Sequence, residues 1–517
     1  MEPLALALSR TEAYTHPVKK VEVVETHISW IFLTEKWAYK VKKAVNLGFL
    51  DFTTLEKRHH FCQEELRLNR RLCPDIYHSV VPVVKSGNGY FMEREGEIVD
   101  YAVKMVRFDR SMELDRMLSK KLLSKEHILA LSRTVADFHL SLPPAQAKSE
   151  FGHPDLLIRP VLANFTHTEA ITSDKEEIEL LESLKTWTLK EHKRLYSGFL
   201  QRKKAGFIRQ CHGDMHTGNM VLWKKKIYIF DCIEFNNNLS MIDVISDLAF
   251  LFMDLIHGDK PELAWLLLNS YLSVTGDYNA LPFLRFYTVY RAMVRAKVTA
   301  IRYAQISGES PHREILEEHR SYLRLARKTT GRKNPMILLT HGVSGSGKTA
   351  ISQELAPEMG YLHIRSDIER KRIAGLKSLE RSSKTAKMIL YSEAAGTATY
   401  QRLLDITRLS ISEGIGIIVD ATFLQAEKRA LFLELAEKMK CHCRILHFHA
   451  PEDVLMERVG KRYKDRKDAS EADKAVLKSQ LDHLEPLIEA ELAVTIAIDT
   501  KSPVDIPSLA RSMDDEG

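Results

Sequence analysis

Alternating polar and apolar positions are concentrated in the first hundred residues, and helical spacing prevails after them. Alternating or β-branched runs predict short strands at 21–24, 27–33, 37–41, 80–84 and 98–106. Helical patterns are predicted at 54–72, 114–118, 125–140, 174–201 and 240–327. This order predicts a small sheet-rich lobe followed by a mostly helical lobe.

A different pattern begins at residue 336, where apolar strands and amphipathic helices alternate. Strands are predicted at 336–340, 362–364, 415–419 and 443–448. One helix is predicted to begin at 348, further helices are predicted between the second strand and about 413, and two more are predicted at 425–440 and 452–462. Alternation of this kind is typical of a parallel sheet with helices on both faces. The second pattern therefore predicts an α/β domain.

The length of the chain favours a multidomain protein. Single hydrophobic cores stop growing at roughly 250–300 residues, and this chain has 517. Charged residues, glycine and proline are concentrated at 328–335, immediately before the second pattern. We predict an α+β bilobal domain over 1–328, a linker over 329–335, an α/β domain over 336–502 and a C-terminal tail over 503–517.

Composition and charge narrow the class of protein without changing this division. With 44% apolar and 28% charged residues the chain has the composition of a soluble globular protein. Its net charge of +6 suits phosphate-bearing ligands without requiring nucleic acid. Six cysteines with no CxxC pair argue against a disulfide framework or a zinc cluster. No secretory signal or long apolar stretch occurs, so we expect a cytoplasmic protein without a membrane segment.

The most specific motif joins the predicted strand at 336–340 to the helix that begins at 348. Residues 342–349 read Gly-Val-Ser-Gly-Ser-Gly-Lys-Thr and match the P-loop pattern GxxxxGK[ST] in full. Backbone amides of such a loop surround phosphate oxygens, and the helix N-terminus adds its dipole. Lys348 is predicted to contact the β/γ-phosphates and Thr349 to bind Mg²⁺. The nucleotide cradle is predicted to include Gly342, Ser344, Gly345, Ser346 and Gly347.

Further candidates follow the strands of the same domain. Asp420 ends an apolar strand and is predicted to support Mg²⁺. Asp367 is predicted to accept a proton from a substrate hydroxyl, with Arg370 orienting substrate or phosphate. The alternative is a helix-capping Asp367 on a solvated basic helix. Arg458 and Arg462 recur at helical spacing, together with Arg466, and form either a lid over the γ-phosphate or a solvated stripe.

A second constellation lies in the first domain. Residues 212–219 read His-Gly-Asp-Met-His-Thr-Gly-Asn, and Asp231 ends a strand seventeen residues after Asp214. Phosphoryl transfer requires a carboxylate near the acceptor hydroxyl and further groups that bind magnesium. We predict that Asp214 is the base or acceptor-positioning group, and that Asn219 and Asp231 bind the metal. His212 is interpreted as a scaffold residue.

A kinase-like lobe also needs a lysine on its third strand and a helical glutamate that pairs with it. Lys40 and Lys42 are both available on the strand, and Glu64 and Glu65 on the helix that follows. Lys40 is preferred because Ala38 lies on the same face of the strand as Lys40, as the alanine and lysine of the kinase motif V-A-I-K do. Glu65 is chosen over Glu64, and both choices stay open.

These residues carry two resemblances. The loop H-G-D-x-x-x-x-N and the strand ending in Asp231 resemble the aminoglycoside phosphotransferase and choline kinase superfamily over about 20–325, which implies a protein-kinase-like fold. Residues 335–500 resemble AAA_33-type P-loop kinases, relatives of polynucleotide 5′-kinases, gluconate kinases and zeta toxins. The combination is similar to bacterial two-domain fusions of an aminoglycoside phosphotransferase-like part and an ATP-binding part. Cys232-Ile233 replaces the Phe-Gly of protein kinases, which removes the argument for an activation switch.

The resulting hypothesis is an ATP- and Mg²⁺-dependent phosphotransferase with two kinase-type sites that act on hydroxyl groups of small molecules. One alternative is a single active kinase with an ATP-binding regulatory module. Another is a C-terminal kinase of nucleic-acid 5′-hydroxyls or an RNA-associated ATPase, which is not favoured because Tyr463 is the one aromatic residue in the basic stripe. Acceptor identity and oligomeric state do not follow from these motifs.

Overall fold

The computed structural model describes residues 3–48, 50–172, 174–305, 309–332, 334–383, 388, 390, 392–465 and 468–514. By contacts, the chain divides into two compact units. Unit 1 comprises Met1–Ala130, Asp137–Thr166 and Leu189–Asp254, and unit 2 comprises Leu131–Ala136, His167–Thr188 and Leu255–Gly517. The helices after Leu255 therefore group with the α/β part by contacts, whereas the predicted linker lies at 329–335.

Unit 1 contains a six-stranded antiparallel sheet in the order β1-β2-β3-β6-β4-β5. Its buried face is apolar because alternate residues such as Phe32, Tyr39 and Val41 point into one core. The strands are β1 Glu22–Glu25, β2 Ser29–Leu33, β3 Trp37–Lys42, β4 Tyr77–Ser86, β5 Gly89–Met92 and β6 Glu97–Val106. Two antiparallel strand pairs complete the unit: β7 Ile208–Gln210 with β10 Met241–Asp243, and the hairpin of β8 Met220–Trp223 with β9 Lys226–Ile229.

Helices occupy most of the chain between and after these strands. Several begin where a polar side chain caps the first turn, as Thr54 does by accepting from Lys57 N. They are α1 Pro3–Leu8, α2 Leu55–Asn69, α3 Leu114–Ser119, α4 Lys125–Ser141, α5 Pro154–Glu169, α6 Lys175–Lys204, α7 Asn237–Ser240, α8 Val244–His257, α9 Pro261–Thr275, α10 Leu281–Gln305 and α11 Glu309–Thr330. Among the described residues no helix combines the length and apolar character needed to cross a bilayer.

The α/β part of unit 2 is built on a five-stranded parallel sheet in the order β12-β13-β11-β14-β15. The central strands are apolar on both faces, as a parallel sheet covered on both sides requires. The strands are β11 Met336–His341, β12 Leu362–Arg365, β13 Ile417–Asp420, β14 His442–His449 and β15 Thr495–Asp499. The helices are α12 Lys348–Met359, α13 Ser366–Ile373, α14 Glu393–Ser412, α15 Ala426–Met439, α16 Glu452–Asp465, α17 Lys474–Asp482, α18 Glu489–Leu492 and α19 Ile506–Asp514.

This topology confirms the predicted fold class. An antiparallel sheet with helices precedes a parallel sheet that carries the P-loop between β11 and α12. The segment predicted as a C-terminal tail contains α19, whose Ala510 and Met513 pack in the core beside Leu338 and Leu446. The parallel sheet brings the carboxyl ends of its strands to one edge, which is where ligands bind in folds of this kind.

Candidate active sites

The first candidate site is centred on Lys40 of β3. Its Nζ lies 2.9 Å from Glu65 Oε1 and 2.5 Å from Asp231 Oδ1. Burial alone would lower the pKa of Lys40, but the carboxylates of Asp231 and Glu65 outweigh it and raise the pKa well above the ordinary value. The strand lysine, the helical glutamate and the acid that follows β9 are therefore linked through one ammonium group.

Lys42 takes a different set of partners. Its Nζ lies 2.7 Å from Glu65 Oε2 and also bonds Glu234, and its side chain is only 1% exposed against 11% for Lys40. Burial alone would raise the pKa of Glu65, but Lys40 and Lys42 lower it to about 2. Glu64 instead pairs with Arg67 at the surface, at 2.7 Å. The preference for Lys40 and Glu65 stays a prediction, and Lys42 is an additional buried cation on the same glutamate.

The H-G-D loop brings Asp214 and Asn219 together. Asn219 Nδ2 donates to the Asp214 backbone oxygen at 3.0 Å and to Asp214 Oδ2 at 2.9 Å. His216 Nε2 lies 3.4 Å from the same carboxylate oxygen. Phe230 N donates to Asn219 O at 2.9 Å, so the residue before Asp231 is attached to the end of the loop. The Asp214 side chain is 34% exposed, so an acceptor molecule can reach it.

Two buried acids of α8, which the sequence analysis missed, hold this loop. Asp247 accepts from His212 N and Gly213 N, both at 2.9 Å, and Asp254 accepts from Thr217 N at 2.8 Å. The seven-residue spacing places both acids on one face of a helix that is otherwise mostly apolar. Buried acids need hydrogen-bond donors. Two acids in a mostly apolar helix therefore predict polar partners, and this is the signal that the sequence contains.

Gly213 is required by the shape of the same loop. Its φ is +89°, and a Cβ there would lie 2.8 Å from Leu239 O. The imidazole of His212 bonds Phe230 O through Nε2 at 2.8 Å and accepts from Asp214 N through Nδ1 at 3.2 Å. His212 thus makes the scaffold contacts that the sequence analysis expected of it, and it touches both the loop and the strand pair.

The second candidate site is the P-loop at 342–349. Gly342, Gly345 and Gly347 have φ values of +140°, +87° and +89°, which permit the tight path of the backbone. Lys348 Nζ donates to Val343 O at 2.8 Å. Burial lowers the pKa of Lys348 to about 8, and nearby Asp420 offsets only part of this shift. The loop is therefore wrapped around its own lysine.

Asp420 ends β13 beside the P-loop and is only 4% exposed. His363 Nε2 lies 3.3 Å from its Oδ2, and Arg365 Nε lies 3.8 Å from the same oxygen. Burial alone would raise the pKa of Asp420, but the hydrogen bond and charge of His363, together with Arg365 and Lys348, lower it to about 2. Asp420 is consequently ionised at neutral pH, as a metal-supporting carboxylate must be.

A cavity of about 150 Å³ brings most of the remaining candidates together. Asp367 and Arg370 line it, and their side chains pair at 3.1 Å. Arg462 lines it too, and its buried Nε and Nη2 have no hydrogen-bond partner among the described residues. Its other lining residues are Ser344, Lys348, Thr349, Arg365, Ser366, Asp420, Ala421, Thr422, Ser470, Ala472, Val476 and Gln480.

Arg458 lies outside the set that lines this cavity. Its guanidinium bonds Thr500 O at 2.6 Å and Thr500 Oγ1 at 2.9 Å, and it lies 3.4 Å from Gly345 O. Gln480 accepts from Ser344 N at 2.7 Å. Arg458 therefore supports the back of the P-loop, while Arg466 lies outside the described residues. Gln480 and Thr500 could not be identified by motif, since both are distant in sequence from the P-loop.

Both sites offer the ligand chemistry that magnesium needs, which is oxygen. In the first site the bonds of Asn219 to Asp214 use its amide nitrogen, and its Oδ1 stays outside them. Asp231 contacts Lys40 through Oδ1 only. In the second site Thr349 and ionised Asp420 line the same cavity. The donor sets therefore fit a divalent cation at each place.

Comparison with known proteins gives results for both parts of the chain. Residues 337–487 match the model of an AAA domain, AAA_33, which confirms the resemblance of the C-terminal part. Uncharacterized proteins of Mycobacterium tuberculosis (strain ATCC 25618 / H37Rv) and Mycobacterium bovis are each 27% identical over 464 residues, covering 88% of this chain and 89% of theirs.

Solved structures also show partial similarity to the chain. A sugar kinase from Janibacter sp. is 22% identical with a TM-score of 0.26, covering 35% of this chain and 92% of that one. Aminoglycoside 2′-phosphotransferase-IIIa, solved with GDP, is 11% identical with a TM-score of 0.36, covering 61% of this chain and 94% of that one.

Proposed function

We propose that the protein is a bifunctional ATP-dependent kinase, with each site transferring the γ-phosphoryl group of ATP to a hydroxyl of a small molecule. The observation that carries this proposal is made in each unit: a lysine that could bind phosphate lies beside carboxylates that could bind a metal ion and position the acceptor hydroxyl. Lys40, Asp214 and Asp231 supply them in unit 1, and Lys348, Asp367 and Asp420 in unit 2.

In the first site the oxygen of the acceptor hydroxyl forms a bond to the γ-phosphorus. Asp214 receives the proton that this hydroxyl loses. The bond between that phosphorus and the β–γ bridging oxygen breaks, and ADP leaves. Lys40, oriented by Glu65, neutralises the α/β-phosphates. Asn219 and Asp231 are the groups that would hold Mg²⁺, which supplies charge neutralisation on the triphosphate.

In the second site Asp367 plays the part of Asp214, and the backbone amides of 342–349 surround the phosphates. Lys348 is released from Val343 O when it meets the β/γ-phosphates. Thr349 and Asp420 are the groups that would hold Mg²⁺. The buried nitrogens of Arg462 supply a cation for the γ-phosphoryl group in transfer.

The acceptors are proposed to be small molecules and not nucleic acid. Recognition of single-stranded nucleic acid depends on aromatic side chains on which bases stack. The described residues that line the cavity of about 150 Å³ include no aromatic side chain. Tyr463 is half exposed on α16 and does not line it.

A screen of ³²P transfer from ATP into a metabolite extract tests both sites at once. Wild type is compared with Asp214→Ala and Lys348→Ala, and with the surface controls Asp155→Ala and Lys438→Ala, whose side chains are 62% and 74% exposed. Two kinases predict that each active-site variant loses a different product. Loss of one shared product in both variants indicates coupled action, and unchanged labelling in either variant removes the mechanism assigned to that site.

A further inference from the structure

The strand that leads to Asp367 is fastened to α9 within unit 2. β12 lies at the edge of the five-stranded sheet, where backbone groups need partners other than a strand. Asn269 of α9 supplies them. Its Nδ2 donates to Tyr361 O and its Oδ1 accepts from His363 N, each at 2.9 Å. One amide side chain therefore replaces the pairing that a neighbouring strand would give.

The helix that follows β12 is fastened to the end of the same helix α9. Arg372 of α13 donates to Ser273 O at 2.6 Å and to Val274 O at 3.2 Å. Carbonyl groups in the last turn of a helix lack helical partners, so a cation is favourable there. Gly276 leaves room for this contact, because a Cβ at that position would lie 2.6 Å from Arg372 Nη1.

A buried carboxylate completes the attachment. Glu369 of α13 is 0% exposed. Tyr278 OH donates to its Oε1 at 3.2 Å, Arg372 Nε lies 3.2 Å from the same oxygen, and Arg402 Nε lies 3.5 Å from Oε2. A carboxylate so deeply buried needs donors and a compensating charge: Oε1 accepts two hydrogen bonds, and Oε2 faces the guanidinium of Arg402.

Helix geometry connects this attachment to the cavity. Residues three apart share a face of a helix, whereas residues two apart differ by about 200° around its axis. Glu369 and Arg372 therefore share the face opposite to the one formed by Asp367 and Arg370. Fixing the first pair fixes the rotation of α13, and with it the direction of the second pair into the cavity.

We propose that Asn269, Tyr278, Glu369 and Arg372 are positioning residues of the P-loop site. They hold β12 and α13 so that Asp367 meets the acceptor hydroxyl. This inference rests on the phosphotransfer proposed above for that site. It makes α9 and the turn after it a part of the P-loop site, although they precede the P-loop in the chain.

The test uses the full chain with Lys40→Met and Asp214→Asn, so that under the proposed function neither nucleotide binding nor transfer at the first site contributes. Tyr278→Phe removes one hydroxyl, and Arg372→Met removes the contacts to α9 while retaining length. Arg408→Met on α14 is the matched control, since that arginine is 54% exposed and, within the described part of the chain, pairs with Asp405 at the surface. The readouts are the rate of the Lys348-dependent ³²P transfer into the extract, the affinity for a fluorescent ADP analogue, and the melting temperature.

We expect Tyr278→Phe and Arg372→Met to lower the transfer rate by about 10- to 100-fold, the cost of a misplaced reacting group. Affinity for the ADP analogue should not change, because the P-loop itself is untouched. Parallel losses of rate, affinity and melting temperature would show a general structural role and overturn the inference. Wild-type rates in both variants would overturn it as well, provided that Asp367→Asn loses activity. If Asp367→Asn also retains activity, the proposed function of this site fails instead.

Discussion

At the scale of single residues, the two lysines of β3 have different surroundings. Lys40 is 11% exposed and bonds both Glu65 and Asp231, and under the proposed function a nucleotide phosphate would replace one of these partners. Lys42 is 1% exposed and lies between Glu65 and Glu234. A difference in role should follow from this difference in burial.

We predict that Lys40→Met lowers phosphotransfer by the first site about 100-fold, because a charge aimed at the triphosphate is lost. Lys42→Met should instead lower the free energy of unfolding by about 3–5 kcal/mol, since two buried carboxylates lose a partner. Rate measurements and thermal unfolding of both variants separate the effects. Equal behaviour of the two variants in both assays would contradict the assignment.

The depressed pKa of Lys348 predicts a pH-dependent affinity for nucleotide. Because burial lowers this pKa to about 8, the free protein loses the lysine's charge as pH rises through that value. Bound phosphate favours the charged form, so binding should take up a proton above pH 8 and weaken as pH rises further.

Calorimetry of ADP binding in two buffers with different ionisation enthalpies measures this uptake. Lys40→Met serves as background, so that only the P-loop site responds. At about pH 8.5 we expect a buffer-dependent heat from proton uptake by Lys348, and at about pH 7.2, where Lys348 is already mostly charged and ADP is mostly ionised, a much smaller one. A heat that is independent of buffer at both pH values would show that Lys348 stays protonated.

The candidate residues that the sequence could supply are those joined by fixed spacing. Asp214 and Asn219 lie five residues apart in one loop, and Lys348 and Thr349 end one motif. Asp247, His363 and Gln480 support the same sites from distant segments, and no spacing relates them to their partners. Such contacts are set by packing of the whole unit, which a motif does not contain.

At the scale of elements, the P-loop depends on the close approach of β11, the loop and β14. A Cβ on Gly342 would lie 2.4 Å from Phe448 O, at a φ of +140° that L-residues avoid. We predict that Gly342→Ala costs roughly 1–3 kcal/mol in strain and lowers nucleotide affinity of the P-loop site at least about tenfold.

Gly396→Ala on α14 is the matched control, because no heavy atom lies within 4 Å of its Cβ. Alanine in a helix interior is favoured over glycine by up to about 1 kcal/mol. The control should therefore keep nucleotide affinity and raise the melting temperature slightly. Thermal unfolding and titration with a fluorescent ADP analogue compare the two. An unchanged affinity in Gly342→Ala would show that the loop can shift to admit a Cβ.

Several long elements could be predicted from the sequence, whereas the helix Pro154–Glu169 and the short elements near the end of the chain could not. The strand predicted at 37–41 is Trp37–Lys42, and the helix predicted at 125–140 is Lys125–Ser141. Thr495–Asp499, Lys474–Asp482 and Ile506–Asp514 were not predicted. β15 is an edge strand with exposed positions, so its burial pattern lacks the alternation on which prediction depends.

At the scale of the whole molecule, the supports of the two sites follow each other along the chain. α8 carries Asp247 and Asp254, which hold the H-G-D loop, and it ends at His257. α9 begins at Pro261 and carries Asn269, which holds β12. Each site nevertheless has its own lysine and its own carboxylates, Lys40 with Asp231 in the first and Lys348 with Asp420 in the second.

We therefore predict that one chain binds two molecules of Mg²⁺-ADP. Isothermal titration should give a stoichiometry of two for wild type, and of one for both Lys40→Met and Lys348→Ala. Lys438→Ala, at a surface position, should retain two. A ligand that binds only the folded state stabilises it by about 2.7 kcal/mol when its concentration is a hundred times Kd. Each single-site variant should therefore also lose part of the rise in melting temperature that nucleotide causes. A stoichiometry of one in wild type, abolished by either variant, would mean a single shared nucleotide site and would contradict two separate kinases.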